Sequence, residues 1–241
     1  MGYVSANGSG TKRVRLSPAE RREQLISLGV TMLRDRTLED VSIGDIARQA
    51  GISRGLLFHY FASKQDFQRA IVRRANEELL ARTLPDRSLG LLEMLRDSVE
   101  RYVDYVSENR ISYQGLLRGP ASGSPELLGL ADATRDAIVD RILTETPLAG
   151  DDPELPRLRL VFRGWIAFVE ETTLIWLREE AIGRDALIDT LVGALPALAM
   201  HPGLTQWLSD AVATGDAGAA ETEAAGAAAA NDAGAETALP T

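Results

Sequence analysis

Residues 43–62, IGDIARQAGISRGLLFHYFA, admit few folds. Two short stretches of helical periodicity meet at Ala50-Gly51, and each is preceded by a serine, Ser42 or Ser53, of the type that caps a helix start. Two short helices that cross closely need a small residue where they touch and a turn residue that tolerates positive φ. Ala47 and Gly51 stand at those places. Ile46, Ala50, Ile52, Leu57 and Tyr60 then give an inward face across both helices, which leaves Arg54, Gly55, Phe58 and His59 facing outward. The spacing predicts a helix-turn-helix with its second helix as the reader.

The flanks carry the same start signal. Ser17-Pro18-Ala19-Glu20 combines a cap, a proline at the first helical position and a glutamate able to reach back, so a helix is expected from there to about Arg36. Leu25, Leu28, Gly29 and Met32 supply its apolar face, and Ser63-Lys64-Gln65-Asp66 opens another helix. Beyond it, further helices are expected over 64–82, 89–108, 110–118, 125–145, 154–180 and 184–199, with breaks at Pro85, Gly119-Pro120, Pro147 and Gly183. Strand-like alternation is nowhere sustained. The expected fold is all-α with about nine helices: an N-terminal three-helix helix-turn-helix domain and a larger C-terminal helical effector and dimerisation domain. The expected limits are a disordered basic arm over 1–16, the DNA-binding domain over 17–62, a connecting helix over 63–82, a ligand-binding and dimerisation domain over 83–208, and a disordered acidic Ala/Gly-rich tail over 209–241.

Charge distribution separates the two parts more sharply than the net value of −9 suggests. Residues 1–75 hold 13 Lys or Arg against 7 Asp or Glu, whereas the remainder holds 13 against 28. A basic module on an acidic body suits a partner of phosphates, because the charge at the contact surface governs that attraction. No cysteine is present and the two histidines, His59 and His201, lie far apart, so neither a thiolate metal site nor a metal or other cofactor is expected. The absence of a long apolar run predicts no membrane segment and a cytoplasmic location.

Residues 17–75 resemble the DNA-binding domain of the TetR family of regulators. The resemblance is carried by Ile46-Ala47, Ala50-Gly51-Ile52-Ser53, Gly55-x-Leu57-Phe58-His59-Tyr60-Phe61 and Ser63-Lys64-x-x-Phe67. It implies a homodimer whose two reading helices enter successive major grooves of a palindromic operator, with a C-terminal pocket that controls their separation. Two positions depart from the family pattern. Phe58 stands where a tyrosine is usual, which leaves a base-methyl or sugar contact but removes a hydroxyl bond to phosphate. Gly44 stands where many members carry a longer polar side chain, so base reading rests on few residues. Arg54 is the candidate for a guanine, through its forked donors; Ser42, Ser53, His59 and Lys64 are candidates for phosphate.

In the C-terminal part, the stretch 154–180 carries two apolar stripes. Phe162, Trp165, Val169 and Thr172 on one side, with Met94, Tyr102, Tyr105 and Tyr113 from the helix at 89–108 and just beyond, are the candidates for a pocket taking a mainly apolar small-molecule effector. Gly164, Ala167 and Leu174 on the other side, with Ile188, Leu191 and Leu195 from 184–199, are the candidates for a four-helix dimer interface of the kind the resemblance implies. Glu170, Glu171 and Arg163 are alternative anchors for a charged ligand group, or simply exposed. The leading functional expectation is a ligand-released repressor. An activator or ligand-independent regulator, a helical enzyme and a protein-interaction adaptor are the alternatives; no Ser-His-acid or two-metal pattern supports the enzyme.

Overall fold

The protein is seen in a computed structural model that describes residues 16–119, 123–146 and 151–199. The basic arm through Arg15, residues 120–122, the break at Pro147, His201 and the acidic tail lie outside the described residues. Among those described, the chain forms nine α-helices and no strand: α1 Pro18–Met32, α2 Ile43–Gln49, α3 Arg54–Tyr60, α4 Lys64–Arg82, α5 Leu91–Glu108, α6 Arg110–Arg118, α7 Pro125–Thr144, α8 Leu155–Glu179 and α9 Arg184–Ala199. None of these helices is long and apolar enough to cross a membrane.

Serine caps set the first four starts. The hydroxyl oxygens of Ser17, Ser42, Ser53 and Ser63 accept from the amides of Glu20, Asp45, Leu56 and Asp66 at 3.3, 3.3, 3.1 and 3.0 Å. Such caps contribute about 0.5–2 kcal/mol each. At the first, the Glu20 carboxylate also accepts from the Ser17 amide at 2.7 Å, closing a capping box. α1 stops at Met32, short of the expected Arg36. The Leu33 amide is shared between the Gly29 and Val30 carbonyls, and the chain tightens into turns that carry Leu33, Leu38 and Val41 inward.

Two apolar cores result, and α4 belongs to both. Leu25, Ile46, Leu57, Phe61, Phe67 and Ile71 fill the first, with the rings of Phe61 and Phe67 edge to face at 4.8 Å. Val103, Val106, Val139, Leu158, Leu187 and Leu191 lie in the second, to which α4 contributes Leu79. The helix read as a connector thus builds the N-terminal core with Phe67, Ile71, Val72 and Ala75.

α1 and α4 meet at Gly29, where a Cβ would fall 2.4 Å from Cδ1 of the fully buried Ile71. Gly29→Ala is expected to destabilise the fold by about 1–3 kcal/mol despite alanine's better helix propensity, because Ile71 has no free space to retreat into. Urea unfolding measures this; a variant as stable as the parent would show that the two helices can move apart.

Candidate nucleic-acid interface and effector cavity

The turn between α2 and α3 is made by Gly51, whose φ of +65° a side chain would strain. Ala47 is buried at the crossing, and the Ile52 amide donates to its carbonyl at 2.9 Å. Leu57 pins α3 inward while Ile46 pins α2, both with no exposed surface. The opposite face of α3 is open: Arg54, Gly55, Leu56, Phe58 and His59 are exposed, Phe58 by 47%. A phenylalanine so placed is available to thymine methyls or sugars rather than to the core. His59 rests edge-on against the Tyr60 ring at 5.7 Å.

Arg54 has no hydrogen bond or ion pair among the described residues, in contrast to Arg36 and Arg48, which both pair with Asp45. Its guanidinium instead lies over the backbone of Gly44. A Cβ there would come 2.6 Å from Nη2 and 3.1 Å from both Cζ and Nε. The glycine that departs from the usual pattern therefore makes room for the arginine that follows it across the turn. Gly55 presents bare backbone, and a Cβ on it would find only the Ser53 hydroxyl within 4 Å. Ser42 and Ser53 spend their oxygens as acceptors in the caps, which leaves each hydroxyl proton to donate outward. Lys64 donates to the Glu39 carbonyl at 3.2 Å, so one of its three protons ties α4 to the preceding loop.

Behind this module lies a cavity of about 270 Å³. Seven of the eight ligand candidates line it: Met94, Tyr102, Tyr105 and Tyr113 from α5 and α6, and Phe162, Trp165 and Val169 from α8. Thr172 does not; it is half-buried one helical step away. α7 supplies a wall that the sequence pattern did not reveal, including Thr134, Arg135 and Ile138. The cavity also reaches Val30, Leu33, Val72 and Ala75, residues of α1, α4 and the turn between α1 and α2 that pack with the helix-turn-helix core.

The polar groups of the wall are mostly paired. The Tyr102 and Tyr113 hydroxyls are 3.1 Å apart, and Tyr105 donates to the Ala75 carbonyl at 2.9 Å. Burial raises all three phenols above the ordinary value, Tyr105 to about 12. Arg135 of α7 meets the Glu170 carboxylate of α8 through Nε at 2.9 Å and Nη2 at 2.9 Å. The other two anchor candidates are turned to the surface, where Arg163 pairs with Asp132 and Asp136 and Glu171 pairs with Arg118.

The six dimer candidates differ in their burial within one chain. Ile188 and Leu191 have no exposed surface, Leu174 is 4% exposed, and Leu195 lines the cavity. Ile188 and Leu191 belong to the core that α9 forms with α5 and α8, and Leu195 is half-buried. Gly164 and Ala167 are exposed, and Gly164 lies in a shallow depression formed with Val161, Phe168, Ala194, Ala197 and Leu198 of α8 and α9.

Two family models match the chain. "Bacterial regulatory proteins, tetR family" covers residues 25–71, and "Tetracyclin repressor-like, C-terminal domain" covers 91–198. A TetR-family transcriptional regulator from Streptomyces coelicolor superposes with a TM-score of 0.71 at 34% identity, over 82% of this chain and 90% of that one. The chain belongs to the TetR family. It is a DNA-binding transcriptional regulator, with the helix-turn-helix of α2 and α3 as its reading head. The transcriptional activator FasR of Mycolicibacterium smegmatis is 24% identical over 196 residues, 77% of this chain and 85% of that protein. The repressor KstR2 of the same species is 43% identical over 56 residues, 23% of this chain and 27% of that protein. TetR-family relatives thus include both signs of regulation.

The raised Tyr105 phenol gives a pH signature. Its neutral form is favoured in the fold, so this contribution, about 2–3 kcal/mol, is complete below the unfolded value near 10 and is lost as pH rises towards 12. Tyr105→Phe is expected to flatten the fall of stability between pH 10 and 12 relative to the parent, as measured by thermal melting. Parallel curves for the two proteins would show that the phenol ionises freely in the fold.

Proposed function

We propose that this TetR-family regulator acts as a homodimer on a palindromic operator and is a repressor released by a mainly apolar small molecule held in the cavity. The observation that carries this reading is the wall shared with the reading module: Val30, Leu33, Val72 and Ala75 bound the cavity and pack with the core beneath α2 and α3. A molecule that fills the space presses on the helices that orient the reader. Any difference in its affinity for the two arrangements then shifts their populations.

In the DNA-bound form, α3 enters the major groove and Arg54 pairs with the two acceptors of a guanine. Phe58 packs on a base methyl or sugar, Gly55 allows close approach, and Ser42, Ser53, His59 and Lys64 address phosphates. Gly44 acts as a positioning residue, since the berth over its backbone holds Arg54 in one direction. Arg54→Ala is expected to cost about 1–3 kcal/mol of specific binding and to relax base preference at one position of each half-site. Gly44→Ala should leave the fold as stable as the parent or more so, yet relax the same position by displacing the guanidinium. Selection from a randomised DNA library reads both effects. A Gly44→Ala profile identical to that of the parent would remove Gly44 from the reading, and equal losses on cognate and scrambled DNA would reduce Arg54 to a phosphate contact.

The dimer face proposed is the depression on α8 and α9, where Gly164, Ala194 and Ala197 allow close helix approach and Phe168 and Leu198 offer apolar area, with the exposed Ala167 also on α8. It lies apart from the buried Ile188 and Leu191. Phe168→Glu combined with Leu198→Glu is expected to yield folded monomers, since neither residue is enclosed within the chain. Light scattering gives the mass. A dimer that persists would place the interface elsewhere.

A further inference from the structure

On the cavity wall, which also carries Arg141, donating to the Leu80 carbonyl, and Glu145, paired with Arg87, four helices bring together two phenols and an ion pair. Tyr102 comes from α5, Tyr113 from α6, Arg135 from α7 and Glu170 from α8. The side chains of Arg135 and Glu170 are only 19% and 16% exposed, and the pair is fork to fork. Asp132 takes a further edge of the guanidinium at 3.1 Å. The positive charge is thus already answered by carboxylates. An anion arriving at this pair would have to lie beside Glu170 and would find no surplus of positive charge there to offset its lost hydration.

The hydroxyls have the opposite need. Tyr102 and Tyr113 carry two protons between them, and one bridge between their oxygens uses only one. Thr173, fully buried beside Tyr102, lacks a well-formed hydrogen bond of its own. Burial and the negative charge of Glu170 keep the Tyr102 phenol protonated, and burial together with Tyr102 and Glu170 does the same for Tyr113. Neutral donors in an apolar wall that lack acceptors call for a neutral oxygen.

Resting on the reading of the cavity as the effector site, we infer that the effector presents an uncharged group to this cluster: a mainly apolar molecule whose hydroxyl, ketone or ester oxygen accepts from the Tyr102 and Tyr113 pair, beside Arg135 held by Glu170. A carboxylate in the same place is repelled by Glu170, which makes that residue the selector against anions at this cluster.

The test uses the full chain at pH 8 with three probes of one skeleton, decan-1-ol, methyl decanoate and decanoate, titrated by calorimetry. The alcohol or the ester is expected to bind at one site per chain, with decanoate at least about tenfold weaker. Glu170→Gln removes the buried carboxylate from Arg135, leaving only the more exposed Asp132, and is expected to raise decanoate affinity about tenfold relative to the alcohol. Tyr113→Phe is expected to weaken the alcohol and the ester while leaving the melting temperature close to that of the parent; it serves as a second variant should Glu170→Gln fail to fold. Decanoate binding as tightly as the ester in the parent, an unchanged ranking in Glu170→Gln, or no binding by any probe would each overturn the assignment. The effector reading fails separately: if the ester binds but affinity for a library-selected operator does not change, the cavity takes neutral ligands without being the regulatory site. If both hold, linkage requires that operator weaken the ester by the same factor that the ester weakens operator.

Discussion

Everything in this molecule is referred to α4, because one helix is buried in two cores at once. Its first half is held by Phe67, Ile71 and Val72 against α1, and Leu79 near its end enters the core of α5, α8 and α9. Polar contacts fix it along its length: Tyr105 donates to the Ala75 carbonyl, Asn76 to that of Leu130 in α7, and Arg141 of α7 to that of Leu80. Interiors packed to crystal-like density do not absorb displacement gradually. A shift of α4 is therefore passed to α1 and through it to the reading head. The cavity lies alongside this helix, touching Val72, Ala75, Asn76 and Leu79.

The reading head was legible because its determinants are local. A serine cap acts three residues downstream, the positive φ at Gly51 is a property of one residue, and the inward face of α2 and α3 repeats at the helical period. Chain length between two capped starts left little room for other topologies. The berth of Arg54 over Gly44 was not legible. The missing side chain at position 44 read as a loss of base contact, whereas the fold turns it into space for a residue ten positions later. Seeing that needed the crossing geometry of two helices, which periodicity does not carry.

The C-terminal part shows the opposite balance. Periodicity found the apolar stripes of α8 and α9 but could not say which stripe faces the chain itself, since Leu191 and Leu198 are equally apolar in sequence and differ only in what covers them. Seven aromatic and aliphatic residues of the cavity wall were recognised by type. Arg135 was not, because a charged residue on a helix rich in acids reads as solvated surface. Its partner Glu170 stood as one of three anchor candidates, and only the approach of α7 to α8 separates it from Glu171, one residue on and paired outside with Arg118. Charges that meet across helices are set by tertiary structure, and sequence separation hides them.

The proposed linkage serves repression or activation alike, and similar proteins are named as both: an activator over 77% of this chain and a repressor over 56 residues. A ligand shifts the equilibrium only by its differential affinity for two arrangements, and the operator does likewise. If the arrangement that matches adjacent grooves has the emptier cavity, the ligand releases DNA; if that arrangement has the fuller one, the ligand recruits it. The wall residues Val30, Leu33, Val72 and Ala75 are the coupling elements on this proposal in either case, because they belong to the cavity and to the reading head's core together. The sign is therefore set by how the cavity's shape changes with the spacing of the reading helices, a small geometric difference that leaves the family's architecture intact.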